Sequence, residues 1–162
     1  MTNNIVYALK DALSRSTCWK HPVAVVLEIK NGVYVGGWNG GPTRGQYHNE
    51  CSRKGLPSGV GMELCPSVHA ERRAISIAAN EGISSKGATI YMNEWFPCAD
   101  CAKSIIEAGI TRLVTPDEIY KDISTYTLID KLLKQSYNFE MAEKLLREAD
   151  IELIVDASIR PI

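Results

Sequence analysis

The chain has 162 residues, 45% hydrophobic and 23% charged, with a formal net charge of -1. That length suits one compact domain spanning 1–162. The near-neutral balance lacks the basic footprint of a protein that grips a nucleic-acid backbone. The opening stretch MTNNIVYALKDALSR carries charges and no apolar h-region, and no long apolar run follows, so neither a signal peptide nor a membrane span is expected. A cytoplasmic location is the resulting expectation. There the five cysteines, an odd number, read as metal ligands or free thiols rather than bridges.

Ile5, Leu9 and Leu13, with Ala8 and Ala12 beside them, share one face and predict a helix over 4–15. VAVVLEI (23–29) and VYVGGW (33–38) are rich in Val and Ile and flank Asn31-Gly32, a hairpin signal. From 40 to 67 Gly and Pro recur without a sustained period. A connection that long inside a compact domain is usually functional or otherwise held in place. A helix is expected from Ser67 or Val68 to Asn80, ended by Gly82. ATIYMN (88–93) reads as a strand. Pro97 opens a further helix, apolar at Ala102, Ile105 and Ile106 and stopped by Gly109. TRLVT (111–115) is a strand, ISTYTLIDKLLKQS (123–136) and AEKLLREA (142–149) are helices, and IELIV (151–155) is a last strand. This order predicts an α/β fold with a central five-stranded sheet and helices on both faces.

The densest chemistry lies in CPSVHAERRAISIAANEGISSKGATIYMNEWFPCADC (65–101), which holds three of the five cysteines and one of the three histidines. Cys98 and Cys101 are three apart and share a face of the helix that follows Pro97. His69 and Glu71 can reach one site together only near a helix start, where the preceding loop leaves room. Both helix N-termini would aim positive partial charge at that spot and favour thiolates. Three ligands of N and S type leave a zinc ion an open fourth position for water, as in a catalytic site. A carboxylate that is not a ligand then moves protons between that water and the substrate. His69, Cys98 and Cys101 are therefore the expected zinc ligands and Glu71 the expected catalytic acid–base. The alternative is a structural zinc knot with Glu71 as a solvated helix residue. It leaves both the carboxylate and the missing fourth ligand unexplained. H-x-E followed by P-C-x-x-C is the pattern of the zinc nucleobase deaminases.

The stretch from about Ser14 to Asp117 resembles the deoxycytidylate (dCMP) deaminases, particularly those of bacteria and phages. The likeness rests on SRSTC (14–18), GGWNGGPTRG (36–45), CSRKGLPSGVGMELCPSVHAERRAI (51–75) and PCADCAKSIIEAGI (97–110). It implies a cytidine deaminase-like three-layer α/β/α sandwich with a mixed sheet. It also implies zinc-dependent hydrolysis of dCMP to dUMP and ammonia, supplying thymidylate synthesis. The family's habit implies a homo-oligomer, a hexamer being favoured, activated by dCTP with Mg²⁺ and inhibited by dTTP. By the same resemblance Asn39 binds the sugar, and Ser67, Ala70, Trp95 and Tyr120 contact substrate. Gly37, Trp38, Gly40 and Arg44 help form the effector site.

Physically, a Gly-rich turn lets backbone amides approach phosphates, and Arg44 could pair with them. The plainer reading is a loop after a strand, with Trp38 as a core or interface aromatic. Trp95 or Phe96 either walls the pyrimidine pocket or fills the core. Arg73 stands where the family usually has Asn, and Trp38 where it usually has Tyr. Ser16, Thr17, Lys20, Arg44, Arg53 and Lys54 all remain open as phosphate ligands. Two rival readings stand beside this one. The first is a deaminase of the same scaffold acting on nucleosides, guanine or tRNA adenosine, and the net charge argues against tRNA. The second is a non-catalytic zinc-binding module, against which the intact Glu71 speaks.

Cys18, Cys51 and Cys65 are left over, with His21 and His48. His48 and Cys51 have the H-x-x-C interval of metal ligands, Cys65 closes the same Gly-rich stretch, and Cys18 precedes the first strand. Cys18, His48, Cys51 and Cys65 are thus expected to form a second, structural zinc site that pins the long loop. Some dCMP deaminases that this chain resembles carry such a second zinc. The alternative is free, packed thiols and a solvated His48. His21 is the weaker candidate, because Pro22 and the strand after it constrain its direction.

Overall fold

The computed structural model describes residues 2–30, 32–42, 51–57, 60–116 and 137–160. Among these, the chain runs through α1 (Thr2–Ser14), β1 (Ala24–Ile29), β2 (Val33–Trp38), α2 (Ala70–Asn80), β3 (Thr89–Met92), α3 (Ala99–Glu107), β4 (Arg112–Thr115), α4 (Phe139–Glu148) and β5 (Glu152–Val155). The five strands form one sheet in the order β2-β1-β3-β4-β5. β1 pairs antiparallel with both β2 and β3, while β3, β4 and β5 are parallel. The sheet is therefore mixed, as expected.

β1 lies inside the sheet, and alternate residues of its apolar run bury on opposite faces. Val25, Leu27 and Ile29 join the core under α2, α3 and α4, with Ala74, Ala78, Ile105 and Leu146. Val26 points the other way, onto Ile5 and Leu9 of α1, with Val114 and Ile159. Helices thus cover both faces, and the three-layer reading holds for the described residues. The expected helix at 123–136 lies outside them, as do Asn31, Arg44, His48 and Tyr120.

Strand bounds agree with the sequence reading to within two residues, but the helix starts move, and two of those moves shape the site. α2 begins at Ala70 rather than at Ser67 or Val68. Val68 is still extended because its backbone exchanges hydrogen bonds with Gly40, at 2.8 and 3.2 Å. His69 becomes the N-cap, at φ -69° and ψ 148°. α3 begins at Ala99 rather than at Pro97, with Cys98 as an extended N-cap. α4 begins earlier than 142, because the side chain of Asn138 accepts from the Met141 N–H and caps it.

Two contacts clamp α2 against β2. Gly37 faces the helix so closely that a Cβ there would lie 2.7 Å from the Ala74 nitrogen and Cβ, and closer still to the Ala70 carbonyl oxygen. Arg73, buried at 4% exposure, donates from Nε to the Trp38 carbonyl at 2.7 Å and from Nη2 to those of Gly40 and Gly41 at 2.9 and 2.6 Å. Its guanidinium also lies 5.1 Å from the centre of the Trp38 ring, with Arg15 at 5.3 Å from the same ring. The long cation at 73 therefore staples the 38–41 turn to the first turns of α2.

Candidate active site and metal centre

The N-termini of α2 and α3 meet beyond the ends of β1 and β3. Asn93, just after β3, accepts from the Ala24 N–H at 2.7 Å and locks those two strand ends together. His69 caps one helix and Cys98 the other, and Cys101 sits in the first turn of α3. His69 Nδ1 is 3.6 Å from Cys98 Sγ and 3.4 Å from Cys101 Sγ. Zinc bonds of about 2.3 Å to sulfur and 2.0–2.1 Å to nitrogen, at tetrahedral angles, put N and S about 3.5 Å apart. The observed separations match that spacing, and among the described residues this is the only group of three or more metal-ligating side chains. The donor set fits zinc with one position left over.

The electrostatics agree. The contact with Cys101 lowers the Cys98 thiol to about 4, and the His69 ring beside it reinforces the effect. The same contact, together with burial, holds the Cys101 thiol up. His69 is raised in turn by its contact with Cys98. Three crowded groups with opposed proton affinities suit a divalent cation, which favours the deprotonated form of each. Glu71 belongs to the first turn of α2 and is 4% exposed. Burial pushes its carboxyl upward, with His69 opposing. A buried carboxyl beside a metal-ligand triad, and not itself one of the triad, is placed to exchange protons.

A cleft of about 670 Å³, its mouth included, opens onto this group. His69, Ala70, Glu71 and Cys98 line one part of it. Trp95, Phe96, Tyr137 and Phe139 form an aromatic wall. Trp95 has φ 66°, a value few side chains adopt, and its ring tilts against His21, Tyr137 and Phe139 at 5.1, 5.8 and 6.2 Å. Ser67 lines both this cleft and a neighbouring cavity, and its hydroxyl is buried without a hydrogen-bond partner among the described residues.

The other expected residues divide. Asn39 lines the cleft, but Ser16 Oγ and Val23 N donate to its Oδ1 at 2.7 and 2.8 Å, and its Nδ2 donates to the His21 carbonyl at 2.7 Å. Most of its amide is thus spent on the loop before β1, and one N–H remains. Gly37 and Trp38 are engaged with α2 as described, and Gly40 bridges to Val68. Cys18, Cys51 and Cys65 line a second, neighbouring cavity together. Among the described residues they form no cluster at metal-ligand distance, and His48 lies outside that set. The sequence reading missed Tyr137 and Phe139 as cleft residues, and it considered His21 only as a spare metal ligand. An aromatic pair spaced i, i+2 across a helix start carries no local mark of facing a site formed far earlier in the chain.

A His-Cys-Cys group at two helix N-termini, with a buried glutamate beside it, has the donor set of a zinc centre. Residues 3–116 match the model of the family described as cytidine and deoxycytidylate deaminase zinc-binding region, and the chain belongs to that family. It is 29% identical over 147 residues to the ComE operon protein 2 of Bacillus subtilis (strain 168), covering 90% of this chain and 70% of that one. It is 34% identical over 122 residues to the deoxycytidylate deaminase of Schizosaccharomyces pombe, covering 73% of this chain and 37% of the yeast protein. The fold is shared with the dCMP deaminase of cyanophage S-TIM5, solved in complex with dCMP and dUMP, at a TM-score of 0.64, 22% identity and 93% coverage of both chains. No helix among the described residues is long and apolar enough to cross a membrane.

Proposed function

We propose that this chain hydrolyses dCMP to dUMP and ammonia. The observation that carries the reading is the convergence of His69, Cys98 and Cys101 on one point of a cleft that also holds the buried Glu71. The named activity of the yeast relative, and the nucleotides bound by the phage enzyme of the same fold, support the choice of substrate. Zinc held by the three ligands would supply the polarisation that makes a water nucleophilic at neutral pH. Glu71 takes a proton from the water that adds to cytosine C4 and delivers it to ring N3; it then takes the proton of the hydroxyl so formed and passes it to the amine, which leaves as ammonia while the C4 carbonyl forms. The aromatic wall holds the ring flat and keeps bulk water from the carboxyl. Glu71→Gln should keep the metal and the fold and lose turnover. An active Glu71→Gln enzyme would sink the mechanism. His69→Ala should lose metal and activity together.

The same reading includes a cytoplasmic role feeding dTTP synthesis, and a homo-oligomer, hexamer favoured, controlled by dCTP with Mg²⁺ and by dTTP. Resemblance of the 36–45 turn to that of the family supports it. Sedimentation together with kinetics at varied dCTP and dTTP tests it, and a monomer indifferent to both nucleotides removes it. A second zinc on Cys18, His48, Cys51 and Cys65 belongs to the reading too, supported by the three thiols lining one cavity. Metal analysis should find two zinc ions per chain, falling to one in Cys51→Ser. A single zinc in the intact protein rejects the site.

A further inference from the structure

Arg73 does not line the cleft, yet it is tied to the backbone on both sides of His69. Its own N–H donates to the His69 carbonyl at 3.0 Å and closes the first hydrogen bond of α2. Its Nη2 donates to the Gly40 carbonyl at 2.9 Å, and the same carbonyl accepts from the Val68 N–H at 2.8 Å. A carbonyl has two lone pairs, so both of those on Gly40 are in use. One oxygen therefore grips the chain directly before the metal ligand, through Val68, and one turn after it, through Arg73. That anchor is itself fixed from the loop before β1. The Asn39 N–H donates to the Val23 carbonyl at 3.0 Å, and the Thr17 N–H to that of Asn39 at 3.2 Å. The Gly41 N–H reaches the Thr17 hydroxyl at 3.3 Å, and a Cβ on Gly40 would collide with that hydroxyl.

The contact of Gly37 with α2 sets how near the helix comes to β2, but apolar packing is non-directional and leaves rotation about the helix axis. Three hydrogen bonds from one planar fork, to Trp38, Gly40 and Gly41, remove that freedom. Rotation matters because His69 must meet two sulfurs carried by a different helix, 3.6 and 3.4 Å from its Nδ1. Burying a guanidinium is unfavourable unless its donors are satisfied, so packing alone would be better served by an apolar side chain. We propose that Arg73 is a positioning residue for the metal ligand His69, holding its imidazole at the distance from Cys98 and Cys101 that a zinc ion requires. This rests on the zinc reading of the centre and adds a residue outside the cleft that sets its metal affinity.

The test compares the parent with Arg73→Met, Arg73→Lys and Leu9→Ala, at a temperature where the proteins are folded. Zinc affinity is read by competition with a metal-binding dye. Groups that orient a metal ligand from behind are worth about 10–100-fold in affinity, so Arg73→Met should lose about tenfold or more. Arg73→Lys keeps the charge but not the fork, and should show a smaller, measurable loss; it decides the matter if Arg73→Met does not fold. Leu9→Ala weakens the chain from the opposite face of the sheet and should keep the parent's affinity. Cobalt(II) gives a readout that lost stability alone does not move. The thiolate-to-cobalt absorption, taken as the difference from His69→Ala to remove other thiols, should shift in the Arg73 variants and stay fixed in Leu9→Ala. Unchanged affinity and absorption in both Arg73 variants overturn the proposal, as does an equal loss in Leu9→Ala. If the parent binds neither ion through His69, the zinc reading fails, and the His69 ring resonances of the metal-free chain decide the positioning role. Resonances that move in Arg73→Lys but not in Leu9→Ala uphold it, and resonances that stay in place reject it.

Discussion

Replacing Gly37 by Ala should damage the metal centre from the far side of α2. The added methyl would lie 2.7 Å from the Ala74 nitrogen and Cβ, whereas ordinary contact begins at 3.4 Å. The helix must therefore withdraw by about 0.7 Å at Ala74, and by more at Ala70, which directly precedes Glu71 and follows His69. Overpacking of this kind costs about 1–3 kcal/mol. In a chain of this size that lowers Tm by roughly 2–4 °C per kcal/mol. Because the displaced backbone carries His69 while Cys98 and Cys101 stay on α3, zinc affinity should fall as well, by about tenfold or more. Gly41→Ala is the control, since a methyl there meets nothing within 4 Å. Urea denaturation of the zinc-loaded proteins reads the stability, and competition with a metal-binding dye reads the affinity. If Gly37→Ala matches the parent in both, the β2–α2 contact does not set the position of His69.

Arg73→Asn removes the donors to the Trp38, Gly40 and Gly41 carbonyls and should destabilise the chain by about 2–4 kcal/mol in urea titration. A near-neutral result would mean the turn holds itself. Leu9→Ala empties a fully buried position between α1 and the sheet and should cost about 2–5 kcal/mol, with little effect on zinc affinity. Chelating the metal should lower Tm by more in the parent than in His69→Ala, which has already lost the ion at this centre. Equal behaviour of the two proteins under EDTA would detach His69 from the metal.

The metal centre was largely legible in the sequence, because its chemistry is written in short local patterns. His69 and Glu71 are two apart, and Cys98 and Cys101 three apart, each pair at a helix start that local signals mark. The exact starts were not legible. Val68 stays extended because of Gly40, 28 residues earlier, and nothing near Val68 records that pairing. Strands were placed well because β1 and β3 are rich in apolar and β-branched residues, whatever their partners. Arg53 shows the opposite case. It lies in a stretch without periodicity, so its burial depends wholly on tertiary contacts. Tyr137 and Phe139 reach the cleft for the same kind of reason, through the packing of α4 against α3.

The spacing of the ligands also governs how the chain gains and loses its metal. Cys98 and Cys101 are neighbours in sequence, so the unfolded chain already offers a two-thiol chelate, whereas His69 must be brought across 29 residues to join Cys98. Closing that loop carries an entropic cost on the order of a few kcal/mol. β3 lies within the loop and pairs with β1 and β4, so the histidine arrives together with the centre of the sheet. An ion already captured by the thiols is then completed, rather than recruited, by folding. To the extent that the unfolded chain would hold zinc on these two thiols, the stabilisation gained would be smaller than the native affinity alone implies. In the reverse direction, fraying of the first turn of α2 detaches His69 while both sulfurs keep hold. Exchange of the metal can therefore proceed through a two-thiolate species without unfolding the sheet.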